Sequence, residues 1–102
     1  MNIVGITACP AGLAHTPMAA AALTKAGEKM GHNIKIEQQG VMGIVNAITM
    51  EEAQNADLII IASDQKIEGA DRFKGKKVLQ VKINACIQSP EKVISKCISV
   101  IS

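Results

Sequence analysis

A chain of 102 residues, 48% of them apolar, can build one modest core, and its formal charge of +2 comes from acids and bases interspersed along it. Phe73 is the sole aromatic residue, which leaves no platform for stacking bases, and no basic stripe points to nucleic acid. No apolar run approaches the ~20 residues that cross a bilayer, and no charged-then-apolar leader opens the chain. The expectation is a cytoplasmic domain over residues 1–102, with no membrane insertion of its own.

Residues 2–8 make a short β-favouring run around Ile3, Val4 and Ile6. A small-residue stretch follows, Cys9-Pro10-Ala11-Gly12-Leu13-Ala14-His15-Thr16. A helix is predicted over 17–30, where Met18, Ala22, Leu23, Ala26 and Met30 recur at helical spacing. Thr16 is placed to cap it, Pro17 suits its first turn and Gly31 can end it. The second strand, 33–38, alternates Ile34 and Ile36 against Lys35 and Glu37. Thr49 opens a short helix over 49–55 and forms a capping box with Glu52. The third strand, 57–63, carries the unbroken apolar run Leu58-Ile59-Ile60-Ile61-Ala62. The fourth, 77–83, alternates Leu79, Val81 and Ile83 against Val78, Gln80 and Lys82. Ser89 and Pro90 start a last helix over 89–101, with Val93, Ile94, Cys97, Ile98 and Ile101 on one face.

Strands alternating with helices predict an α/β fold, an open parallel sheet with helices on both faces. Strands one and three are apolar on both sides, as central strands are, while strands two and four alternate, as edge strands do. The predicted sheet is therefore four-stranded and Rossmann-like, in the order 2-1-3-4. A ligand crevice in such a sheet lies at the carboxyl ends, where the connections diverge, and that point falls beside Cys9.

The placement of Cys9 supplies a thiol and an oxyanion cradle together. A helix N-terminus presents unpaired N–H groups and the positive end of the macrodipole. Such sites lower a thiol pKa from ~8.5 to roughly 3.5–7.5, so Cys9 reads as a nucleophile that accepts a phosphoryl group. Backbone amides beyond Pro10 would cradle the oxygens, and Gly12 allows close approach. Thr16 either caps the helix, donates to the sulfur, or does both; His15 either orients the loop or acts directly. Tyrosine phosphatases carry an arginine six positions after the cysteine and an aspartic acid as general acid. Here His15 holds the arginine position and no Asp-Pro pair occurs. A loop that binds phosphoryl on sulfur without those two groups forms the phosphocysteine and hydrolyses it poorly, as a carrier requires.

These residues resemble the fructose-type enzyme IIB domain of the bacterial phosphoenolpyruvate-dependent sugar phosphotransferase system. The resemblance rests on Cys9 to Thr16 with Met18-Ala19-Ala20, on Ile34 to Gly40, on Gly43, Asn46 and Thr49, and on Ala56-Asp57, Asp64, Arg72-Phe73 and Gly75-Lys76. It implies that a phosphohistidine of enzyme IIA donates to Cys9, and that the phosphocysteine passes the group to a sugar, fructose-like or mannose-like, held by membrane enzyme IIC. Pro10, Ala11, Gly12, Leu13, Ala14, His15 and Thr16 would form the phosphate loop, and Gln39, Gly40 and Asp64 would border the site. It also implies a location at the inner face of the membrane through enzyme IIC. The family usually has Thr where Ala11 stands and an aromatic where Pro17 stands.

Three cysteines cannot all pair within the chain, so Cys9, Cys86 and Cys97 read as free thiols, and no spacing suggests a metal site or a cofactor. Cys97 falls on an apolar helix face, and Arg72 to Lys77 read as solvated surface. Two rivals stand beside the carrier: an arsenate-reductase-like thiol redox enzyme that would use Cys86 and Cys97, and a regulatory module phosphorylated on the same thiol.

Overall fold

The computed structural model describes residues 1–8, 15–40, 43–63, 67 and 69–101. Strand β1 (Asn2–Ala8) leads to helix α1 (His15–Lys29), then to β2 (Asn33–Gly40) and β3 (Gly43–Val45). Helix α2 (Met50–Asn55), β4 (Leu58–Ser63) and a 3-10 turn (Ala70–Phe73) follow. Strand β5 (Val78–Val81), α3 (Ile83–Gln88) and α4 (Pro90–Ile101) close the chain.

The sheet has five strands in the order β3-β2-β1-β4-β5, where four in the order 2-1-3-4 were expected. The four parallel strands pair as β2 with β1, β1 with β4 and β4 with β5. The additional strand, β3, folds back antiparallel on β2, pairing Gln38 with Val45 and Gly40 with Gly43. It takes the edge position that the alternation of β2 had suggested for β2 itself. Three residues beginning with a glycine at φ +111° carry too little periodicity to be seen in sequence.

Two apolar layers sandwich the sheet, and the side-chain alternation of β1 and β4 sends successive residues to opposite layers. On one side Ile3, Leu58, Ile60 and Ala62 pack with Leu23 of α1, Ile83 and Cys86 of α3, and Ile94 and Cys97 of α4. On the other, Val4, Ile6 and Ile59 pack with Ile48, Ala53 of α2 and Phe73 of the 3-10 turn. Helix α1 lies close on the sheet: a Cβ on Gly27 would stand 2.8–3.1 Å from atoms of Ile34.

The helix boundaries shift from the sequence reading. Helix α1 begins at His15, so Thr16 lies within its first turn and not ahead of it. Its buried face is Ala19, Ala20, Leu23 and Ala26, while Met18 is exposed. A helix rich in small residues has several faces of similar hydropathy, and the sheet chooses among them. Strand β5 stops at Val81, and Ile83, expected to end that strand, instead starts α3, a helix absent from the sequence reading. The short helix α2 follows the reading, with Thr49 Oγ1 accepting from Glu52 N and Glu52 Oε1 accepting from Thr49 N.

Candidate functional site

The carboxyl edge of the sheet brings three strand ends into one row. Ala8, the residue before Cys9, stands in register with Gln39 of β2 on one side and Ser63 of β4 on the other. Thr7 Oγ1 donates to the Thr16 carbonyl at 3.1 Å, inside the core. This bond staples the end of β1 to the first turn of α1 and so fixes both ends of the segment between them. Cys9, Pro10, Ala11, Gly12, Leu13 and Ala14, together with Asp64 and the side chain of His15, lie outside the described residues.

Thr16 is 2% exposed, and its hydroxyl has no hydrogen-bond partner among the described residues. A buried hydroxyl left so is costly and calls for an explanation. The group sits at the start of α1, seven positions after Cys9 in the sequence. Pro17 follows in the same turn, where its missing N–H forfeits no helical bond.

Gln39 is buried at the end of β2, and its Nε2 donates to Glu37 Oε2 at 2.7 Å. Gly40 completes the strand opposite Gly43. The carboxylate of Glu37 is itself fully buried and collects three further donors. Arg72 gives Nη1 at 2.7 Å and Nη2 at 3.0 Å in a bidentate fork, and Ile48 gives its backbone N–H at 2.8 Å. Burial alone would raise the Glu37 pKa, but the bonds from Arg72, Gln39 and Ile48 outweigh it and hold the carboxyl below its ordinary value. Arg72 Nε also donates to the Gly69 carbonyl at 2.8 Å, where Gly69 has φ +74°, and its guanidinium lies 5.2 Å from the Phe73 ring centroid.

This network corrects the reading of Arg72 and Phe73 as solvated surface. Phe73 is 3% exposed, and the Arg72 side chain is largely buried against Glu37. Lys74 and Lys77 are exposed as expected, and Lys76 Nζ donates to the Gln54 carbonyl. Glu37 and Arg72 lie 35 positions apart, so no local pattern links them. The signal available was weaker: an acid in the alternating strand β2 must find a cation wherever that face is covered.

The two downstream cysteines sit in the core between α3, α4 and the sheet. Cys86 is fully buried and Cys97 nearly so. Burial pushes the Cys86 thiol up to about 11 and raises Cys97 as well. Both are therefore protonated and shielded, the opposite of what a thiol relay needs. Among the described residues no group of His, Cys, Asp and Glu could hold a metal ion, and no helix is long and apolar enough to cross a membrane.

Residues 4–96 match the family model described as "PTS system, Lactose/Cellobiose specific IIB subunit". The chain is 39% identical over 95 residues to the "PTS system fructose-like EIIB component 2" of Escherichia coli strain K12, covering 93% of this chain and 90% of that one. It is 44% identical over 98 residues to the "PTS system fructose-specific EIIABC component" of Bacillus subtilis strain 168. That match takes in 96% of this chain and 15% of the relative, so the chain spans a minor part of that polypeptide. A crystallised domain of a fructose-specific IIABC component from Borrelia burgdorferi superposes with a TM-score of 0.89 at 41% identity, covering 95% and 92% of the two chains. A lactose-specific IIB domain from Streptococcus pneumoniae shares the fold alone, at 14% identity and a TM-score of 0.55 over 97% of each chain.

Proposed function

This chain belongs to the IIB family of the sugar phosphotransferase system, and from that premise we propose that Cys9 is the residue on which it carries the phosphoryl group. It is a fructose-type IIB component, a phosphotransferase that relays phosphoryl during sugar uptake. Relatives named as EIIABC and EIIBC components, which this chain matches over one part of their length, support association with IIA and IIC partners. The donor is a phosphohistidine of IIA, and the acceptor is fructose or a similar sugar held by IIC at the inner face of the membrane.

The Cys9 thiolate attacks phosphorus, the N–P bond of the donor breaks, and the leaving imidazole takes up a proton. The S–P bond then breaks under attack by a sugar hydroxyl, which loses its proton as sulfur departs as thiolate. In this reading Pro10 to Thr16 serve as the oxyanion loop, His15 orients that loop or acts on the group directly, and Gln39, Gly40 and Asp64 are the residues that would border the site. The observation that supports this reading is the buried Thr16 hydroxyl at the start of α1, which has no partner among the described residues and is a donor suited to sulfur. The lack of a loop arginine leaves water a poor acceptor, so the phosphocysteine survives until the sugar arrives.

The redox rival loses its support because both cysteines it would use are buried with raised pKa values. The test mixes the protein with a phosphorylated IIA-type donor and follows label on the chain. An acid-stable, iodine-labile adduct on Cys9 is expected. Undiminished labelling of Cys9→Ser would overturn the assignment.

A further inference from the structure

The Glu37–Arg72 pair takes no direct part in that chemistry, yet it is a demanding arrangement to bury. An apolar pair of the same volume would lose no ionic hydration on folding. The geometry indicates what the ions do in return. Glu37, when ionised, only accepts, so the amide nitrogen of Gln39 has to face it and the amide oxygen is directed away. Gln39 is also the residue that stands beside Ala8 at the carboxyl edge. Arg72 fixes the carboxylate with both prongs of its fork and also bonds the carbonyls of Ile48 and Gly69. One guanidinium therefore ties together the end of β2, the segment after β3 and the turn before the 3-10 helix. These bonds meet at the Glu37 carboxylate and its guanidinium partner, and Glu37 in turn accepts from the Gln39 amide.

We propose that Arg72 is a positioning residue for phosphoryl transfer, acting through Glu37 to hold Gln39 at the edge beside Ala8. The proposal rests on the reading of Cys9 as the phosphoryl acceptor. Group transfer responds steeply to small misplacements, so a support of this kind acts on the maximal rate more than on donor binding.

Single-turnover transfer from a phosphorylated IIA-type donor is measured for wild type, Arg72→Lys, Gln39→Met and the double variant. Donor concentration is varied, and circular dichroism establishes that each protein is folded at the assay temperature. Lysine keeps the charge but loses the fork. Each single variant is expected to lower the maximal rate by about tenfold to a hundredfold. The half-saturating donor concentration should stay within about twofold. The double variant should be no slower than the slower single, because both act on one chain of contacts. A merely structural Arg72 would instead give losses that multiply, and that result overturns the proposal. So does a folded Arg72→Lys protein that transfers at the wild-type rate. If Arg72→Lys does not fold, Gln39→Met leaves the ion pair in place and decides alone, a wild-type rate there being fatal. A wild-type protein that takes no label on Cys9 is a distinct result, which removes the phosphocysteine reading and this proposal with it.

Discussion

Replacing Arg72 by methionine should be among the most damaging single changes available outside the apolar core. The substitution keeps an unbranched apolar stem and removes the charge and the fork. Glu37, fully buried, would keep the Gln39 amide and the Ile48 N–H but lose both contacts of the guanidinium. Breaking a buried pair from one side costs about 3–5 kcal/mol. A domain of this size has only about 5–15 kcal/mol in total. With a urea m-value of about 2 kcal/mol per molar, the unfolding midpoint should fall by about 2 M. The pH dependence carries the sign. In wild type the Glu37 pKa lies below its ordinary 4.5, so the pair's contribution is complete above that value and is lost as pH falls through the folded pKa. Without Arg72, burial dominates and the folded pKa rises above the unfolded one. The variant is then penalised increasingly as pH rises, because a buried carboxyl is being forced to ionise. The stability gap between the two proteins should be widest near neutrality and narrow toward pH 4.5. Urea titrations followed by circular dichroism at several pH values measure it. A gap under about 1 kcal/mol, or one that does not change with pH, would refute the reasoning, since a surface ion pair behaves that way.

Thr16→Val should leave stability unchanged or raise it by about 1 kcal/mol, because the buried hydroxyl has no partner among the described residues, while phosphoryl acceptance falls; Thr16→Ser should restore it. A loss of stability comparable to a broken core hydrogen bond, with transfer intact, would assign the hydroxyl a structural duty instead. Thr49→Ala removes the hydroxyl that accepts from Glu52 N, one of the two capping bonds of α2, and should cost about 1 kcal/mol in a thermal or urea melt, with no change in transfer. Iodoacetamide at neutral pH should modify Cys9 in the native protein and spare Cys86 and Cys97, whose thiols are buried and raised; mass spectrometry before and after urea would show the two held back until unfolding.

Residue chemistry repeated at short range was legible from the chain alone. The apolar run of β4, the capping box at Thr49 and Glu52, and the thiol between a strand and a helix are each written within a few neighbouring positions. Together they implied the α/β class and the neighbouring central strands, they carried the family resemblance, and they supplied the proposal of a phosphoryl loop at Cys9 to Thr16. Tertiary structure decided the rest. Alternation in β2 shows that one face meets polar groups, but it does not say whether those groups are water or protein. Only the folded chain places Arg72 over Glu37 and makes that side of β2 a buried ionic site. The fold likewise chose which small-residue face of α1 is buried, added β3 at the edge, and ended β5 so that α3 could start. The physical reason is common to all four. Propensity and periodicity act between residues a turn or a pleat apart, whereas these outcomes depend on partners that only chain topology brings into contact.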